Sequence, residues 1–256
     1  MRWLRLREQR SETVSLRAVI FDLFGTLVDN WPVEKLNRMH ARVAEVVGAP
    51  GEAFALLWMR SFEARTRGDY PTSEAYLEIA CGALGVSPTP DQLAAAARLR
   101  LDIARETFTV REDAVETLTA LKARGLKLGM ISDCAWETPV VWGETALAPL
   151  FDEAVFSSVV RMKKPDPRIY LLACERLGVR PEECLYVGDG GSRELSGAAA
   201  VGMCPVLIRA PHETTDAVHR VDGEEWEGPR VSALGEVAAT VDEWLGGGEE
   251  EVVETV

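Results

Sequence analysis

The chain has 256 residues, 47% of them apolar and 27% charged, with a formal net charge of −13, which suits one core-forming domain plus an insertion, or two small domains. That charge repels nucleic acid and acidic membrane surfaces at long range, and no stretch approaches the roughly 20 apolar residues of a membrane span. The five cysteines include no CxxC pair and fit reduced core thiols better than a disulfide framework or a zinc site, with Cys134 the one candidate for a reactive thiol.

The opening "MRWLRLREQR" holds four arginines but no continuous apolar segment of signal-peptide type, so a surface extension and a cytoplasmic location are expected, with a grip on a partner or anionic lipid as the alternative. "LRAVIFD" (16–22) is a compact β-branched run bounded by polar residues and a turn at Gly25, the pattern of a buried strand. Residues 33 to about 108 then read as helices throughout. "VEKLNRMHARVAEVVG", "PGEAFALLWMRSFEART", "TSEAYLEIACGALG" and "TPDQLAAAARLRLDIARETF" carry apolar residues at three- and four-residue spacing between glycine or proline breaks.

Helices and strands alternate from there. Helix "REDAVETLTALKARG" leads to strand "LKLGMIS", a helical or irregular stretch to 150, strand "EAVFSS", helix "DPRIYLLACERLG", strand "CLYVGD", helix "SRELSGAAAVG", strand "CPVLIR" and a last helix at about 232–245. The tail "GGGEEEVVETV" reads as a glycine hinge and a solvated acidic end. Short, wholly apolar strands separated by helices belong in a parallel sheet covered on both faces, with the helical block as an insertion after the first strand.

In such sheets the ligand site lies beyond the carboxyl ends of the strands, where the strand order reverses. The polar groups at those ends are Asp22, Ser132 with Asp133, the segment "RMKKPDP" holding Lys163 and Lys164, and Asp189. Singly, each is an ordinary cap, turn former or surface charge. Jointly, a carboxylate, a hydroxyl, a lysine and a second carboxylate ending successive strands converge at one edge. A carboxylate there can act as a nucleophile on phosphorus or an activated carbon. A second can share Mg²⁺ with it, a lysine can offset negative charge, and a serine hydroxyl can donate to a phosphate oxygen.

The ordered segments "FDLFGTLVD", "MISD", "KKPDPRIY" and "YVGDGGSRELSGA", with helices inserted after the first, resemble the four motifs of the haloacid dehalogenase-like hydrolase superfamily over residues 16 to about 245. The resemblance implies an α/β fold with a Rossmann-like parallel sheet core flanked by helices and an inserted all-helical cap. The domains expected from it are a 1–13 extension, a core of 14–30 and 109–245, a 31–108 cap and a 246–256 acidic tail. It implies Asp22 as nucleophile, Ser132 and Lys164 as catalytic and substrate-binding groups, and Thr26 as a substrate-binding residue whose hydroxyl also fixes the loop, with Gly25 permitting its turn. Asp22, the backbone carbonyl of Phe24 and Asp189 would hold Mg²⁺. Glu194 either completes that metal environment or is a favourable acid in the first turn of its helix. Asp133 is divided between a local cap and a surrogate proton carrier at the substrate.

Two features depart from the phosphatase pattern implied by the resemblance. Phe24 stands where phosphatases of the family place an acid that protonates the leaving group, assistance that typically contributes 10²–10⁴-fold; an aromatic residue there is similar to the metal-free 2-haloacid dehalogenases. Gly188 and Asp189 resemble the magnesium-dependent pattern instead, and Asp133 stands where those dehalogenases commonly have asparagine. Arg38, Arg42 and Arg60 are candidates for a cap arginine that clamps substrate. His40, His212 and His219 read as packing or surface residues, and Trp31 as a hinge aromatic or entrance residue. The expected function is a Mg²⁺-dependent phosphatase of a small phosphorylated metabolite, a monomer or homodimer without nucleic-acid or membrane partners. The alternatives are a metal-independent dehalogenase-type hydrolase and a non-catalytic binding descendant.

Overall fold

The structure is a computed structural model that describes residues 15–30, 33–211 and 226–246. The arginine-rich extension, Trp31, His212, His219 and the acidic tail lie outside the described residues. Six strands form one parallel sheet: β1 (Ala18–Phe21), β2 (Lys127–Ser132), β3 (Glu153–Phe156), β4 (Cys184–Gly188), β5 (Cys204–Ile208) and β6 (Arg230–Val231), in spatial order β3-β2-β1-β4-β5-β6. The chain runs outward from β1 through β2 to β3, then returns past β1 to lay β4 on its other side. The order therefore reverses between β1 and β4, the place where open α/β sheets hold their ligands.

Alternation along β1 sends side chains to both faces. Val19 and Phe21 join Leu128, Met130, Leu185 and Val187 under α6 (Ala114–Ala123) and α11 (Gly235–Gly246). Ala18 and Ile20 join Ile131 and Tyr186 under α9 (Pro167–Leu177) and α10 (Glu194–Ala200). With both faces covered, burial of a side chain such as Phe21 contributes roughly 2–3 kcal/mol.

The insertion between β1 and β2 is helical: α1 (Val33–Val47), α2 (Gly51–Arg60), α3 (Phe62–Thr66), α4 (Ser73–Ala83) and α5 (Pro90–Thr107). It has its own apolar centre, which includes Val43, Phe54, Trp58, Leu77, Ala96 and Ile103. Thr89 starts α5 with a reciprocal capping box to Gln92 and Pro90 in the first turn, as the sequence "TPDQ" requires. Ion pairs that join insertion to sheet domain include Arg100 to Glu137, Arg105 to Glu144, and Glu63 to Lys163, each at 2.8 Å. Among the described residues no helix is long and apolar enough to cross a membrane.

Some element bounds differ from the sequence reading. The helix expected over 50–66 breaks at Ser61, whose hydroxyl donates to the Trp58 carbonyl at 2.9 Å, a back-bond that competes with the helical ladder. "EAVFSS" is a strand only to Phe156; Ser157–Val160 turns into a short helix, α8, ended by Arg161 at φ 54°. The stretch to 150 contains α7 (Glu137–Trp142) and a 3₁₀ turn at Ala148–Leu150. Two-residue β6 is too short for any periodic signal, and its place comes from pairing with β5.

Candidate active site

Register delivers the site. Phe21 pairs with Met130 on one side and Val187 on the other, so Asp22, Ser132 and Asp189 emerge at nearly one level on three adjacent strands. Asp22 is buried, and its backbone N–H donates to the Val187 carbonyl at 2.8 Å. Buried Thr26 donates from Oγ1 to Asp22 Oδ2 at 3.2 Å, which fixes the carboxylate from within its own loop. Gly25 has φ 82°, and a Cβ there would overlap the Asp189 carboxylate and the Asn30 amide, so glycine is required twice over.

Lys164 enters from the loop after α8, through a cis peptide to Pro165. Its Nζ lies 2.5 Å from Asp22 Oδ1 and 2.5 Å from Glu194 Oε2. Asp133 accepts the Lys164 backbone N–H on Oδ1 at 3.0 Å, so it holds the lysine's loop in place. Its Oδ2 has no hydrogen-bond partner among the described residues, though the Lys163 ammonium stands 3.8 Å away. Lys163 itself turns outward to Glu63.

Glu194 opens α10 and is fully buried. Oε1 accepts from Gly190 N at 2.9 Å, and Oε2 takes Tyr186 OH at 2.9 Å as well as the lysine. A Cβ on Gly188 would overlap this carboxylate, so the glycine before Asp189 makes room for it. Asp189 accepts from Gly191 N at 2.9 Å and from Asn30 Nδ2 at 3.3 Å. The Ser132 hydroxyl is buried with no hydrogen-bond partner among the described residues. An orphaned buried hydroxyl is costly unless a ligand completes it.

Three carboxylates face one ammonium. Burial pushes Asp22 up to about 6, with Asp189 adding to the rise and Lys164 opposing it. Burial, then Asp22, also holds Glu194 well above the usual carboxylate range. Burial pulls on the Lys164 proton, but Asp22 and Glu194 outweigh it and keep the ammonium well above its ordinary value. The lysine is therefore fully charged, and it is shared between Asp22 and Glu194. Asp22, Asp189 and Glu194 offer oxygens within 4.8 Å of one another. Hard oxygen donors carrying surplus negative charge match Mg²⁺, so the residues present fit such an ion.

Phe24 is half-buried and meets Phe108, the residue after α5, edge to face with ring centroids 5.9 Å apart. No acid replaces it at that position. Burial pushes the Cys134 thiol up to about 12, the reverse of what a reactive thiolate needs, which removes Cys134 as a candidate. Arg38, Arg42 and Arg60 are exposed, and Arg42 lies 3.8 Å from Glu106. The buried arginines of the insertion are Arg65 and Arg100 instead.

Sequence reasoning missed Arg111, Asn30 and Tyr186. Arg111 is buried and binds the loop after β1 through the Gly25 carbonyl at 2.8 Å and Asp29 at 3.2 Å, contacts between segments more than 80 residues apart that leave no local pattern. Tyr186 had a signal: a phenol in an otherwise aliphatic buried strand needs a partner for its hydroxyl.

The chain is 28% identical over 199 residues to the glyceraldehyde 3-phosphate phosphatase of Methanopyrus kandleri, covering 76% of this chain and 84% of that one. It is 32% identical over 199 residues to the (S)-2-haloacid dehalogenase 4A of Burkholderia cepacia, covering 76% and 83%. A solved dehalogenase structure superposes with a TM-score of 0.59 at 28% identity, over 89% of this chain and 98% of the other. The haloacid dehalogenase-like hydrolase family matches residues 16–202, a span that takes in the Asp22 loop, the insertion, Ser132, Lys164 and the Asp189 turn, and the chain belongs to that family.

Proposed function

We propose that this protein is a Mg²⁺-dependent phosphatase that uses Asp22 as nucleophile on a small phosphate monoester, with residues 31–108 acting as a cap over the core formed by 14–30 and 109–245. The observation that carries the reading is the Asp22–Asp189–Glu194 cluster facing a single lysine. A cation-free site of that charge repels every anionic substrate, haloacids included, and a divalent ion removes the conflict.

Asp22 and Asp189, with the Phe24 carbonyl, would hold Mg²⁺; Glu194, whose oxygens already accept from Lys164, Tyr186 and Gly190, supports the lysine. The ion would neutralise negative charge gathering on the transferred group. Asp22 attacks phosphorus as the bond to the leaving oxygen breaks, giving an aspartyl-phosphate. Lys164 and the buried Ser132 hydroxyl donate to the phosphoryl oxygens, and Thr26 keeps the carboxylate aligned. Water then cleaves the acyl-phosphate, releasing inorganic phosphate and restoring Asp22. With Phe24 beside the site, the departing oxygen takes its proton from solvent, which favours leaving groups of low basicity.

A second reading, a metal-independent dehalogenase-type hydrolase, is favoured by Phe24, since halide departs without a proton. A magnesium titration across phosphate monoesters and 2-haloacids separates the two. Phosphate release abolished by EDTA and by Asp22→Asn supports the phosphatase. Halide release indifferent to EDTA overturns it.

A further inference from the structure

A second polar cluster lies inside the insertion, against Trp58. The Arg65 guanidinium sits 3.8 Å from the Trp58 ring centroid and that of Arg100 3.4 Å from it. His40 packs on the same indole with centroids 4.9 Å apart. All three are buried, at 6%, 7% and 6% exposure. Arg100 Nε bonds Glu137 Oε1 at 2.8 Å. Arg65 finds only neutral acceptors among the described residues, the Ser61 hydroxyl at 3.1 Å and the Trp58 carbonyl at 2.9 Å.

The charges do not balance. Glu137 faces two guanidinium groups, and burial, followed by Arg100 and Arg65, pushes His40 down to about 2, so its ring is neutral. Among the described residues two guanidinium groups share the one Glu137 carboxylate, and His40 Nδ1 has no hydrogen-bond partner. A buried unpaired charge is costly in a folded chain unless something brings the counter-charge. Stacking on Trp58 offsets part of that cost but adds no negative charge.

The cluster is joined to the catalytic edge. Glu137 follows Ser132 by five residues, which caps their Cα separation at about 18 Å. Trp136 between them ties its indole N–H to the Tyr70 carbonyl of the insertion at 2.7 Å. Glu63, on the same short helix as Arg65, holds Lys163 beside Lys164.

We propose that Arg65, Arg100 and His40 on Trp58 form a subsite for a second anionic group, a carboxylate or a further phosphate, carried by the substrate away from its reacting phosphoryl group. This rests on the phosphatase reading and narrows its substrate class to phosphate esters bearing another negative charge. A planar guanidinium fork suits either anion through paired hydrogen bonds, and an ordered cation pair discriminates strongly against an uncharged analogue, which leaves it unpaired.

The test compares kcat/KM for phosphoglycolate with its amide, and for ethylene glycol bisphosphate with hydroxyethyl phosphate. The wild-type chain should prefer the charged member of at least one pair by about tenfold or more. Arg65→Gln and Arg100→Gln should each bring that ratio near unity through KM, while Arg67→Gln, on an exposed arginine paired to Asp69, keeps it. Equal wild-type values within both pairs, or a preference that survives both cluster variants, overturns the subsite; the wild-type comparison needs no variant, so misfolding of one does not blunt it. A second readout uses no turnover: malonate and methylphosphonate are titrated into Asp22→Asn while the His40 ring signals are followed by NMR. If no ester is hydrolysed but one anion shifts His40 saturably, and Arg65→Gln abolishes the shift, the reaction is wrong and the subsite stands. An unresponsive His40 overturns the subsite whatever the reaction.

Discussion

Lys164 Nζ stands 2.5 Å from Oε2 of Glu194, the same distance it keeps from Asp22. One ammonium thus divides its charge between Asp22 and a fully buried acid. The lysine is held by Asp22, Glu194 and Tyr186 at once, so its position is fixed by the fold itself.

Replacing it should expose that dependence. Lys164→Met leaves Asp22 and Glu194 buried without a counter-charge and is expected to cost about 3 kcal/mol of stability and about 10²–10³ in turnover. Lys164→Met with Glu194→Gln removes the orphaned acid and should recover about 1 kcal/mol or more without restoring turnover. Urea unfolding and phosphate release measure the two effects separately. A double variant no more stable than the single one contradicts the shared-ammonium account.

The pH dependence follows from Asp22, pushed up from 3.8 to about 6. Between those values the folded state binds more protons than the unfolded chain, so this group's contribution to stability falls as pH rises from about 4 to 6 and stays low above. Activity runs the other way under the proposed mechanism, because the proton and Mg²⁺ compete for the Asp22 carboxylate: the magnesium concentration for half-maximal activity should rise as pH falls below about 6. Asp22→Asn should be inactive and, at pH 8, more stable than the wild type by on the order of 2 kcal/mol, a margin that vanishes below pH 4. A variant that unfolds earlier than the wild type at pH 8 refutes the burial argument.

Gly25 carries a purely steric expectation. With φ 82° and a Cβ that would overlap Asp189, Gly25→Ala should cost about 1–3 kcal/mol and raise the magnesium concentration needed for half-maximal activity at least tenfold. Activation by magnesium at the wild-type midpoint argues against contact between this loop and the Asp189 carboxylate.

The residues legible from the sequence are those whose chemistry coincides with a strand end: Asp22, Ser132 and Asp189 could be named because parallel register leaves a strand's last residue little freedom, whereas Lys164, eight residues past the end of β3, was legible through the "KKPDPRIY" segment. Asp133 and Glu194 were visible as positions but not as contacts. The first binds the Lys164 backbone and the second the Lys164 ammonium, across 31 and 30 residues of chain, and no periodicity encodes such a pairing. Arg100 left a trace that went unread, because it occupies a buried stripe with Ala96 and Ile103; a charged residue on the apolar face of a helix marks a partner. Arg65 was hidden by the break at Ser61, which rotates its short helix out of phase with the one before.

Phe24 gives the most discriminating prediction. Its ring rests on Phe108, so Phe24→Asp loses an edge contact of about 1 kcal/mol and gains a carboxylate two residues beyond the nucleophile. If the wild-type chain lacks a proton donor for the leaving oxygen, the penalty is largest where that oxygen is most basic, and the new acid helps there most. Turnover of an alkyl phosphate should rise about tenfold or more, while that of a nitrophenyl phosphate, whose leaving group departs without protonation, changes little. Steady-state rates for the two esters, with thermal unfolding to confirm that both proteins are folded, decide the point. Equal or lower rates for both esters would show that Phe24 is not the site of a missing acid, and that the proton reaches the leaving group from another residue.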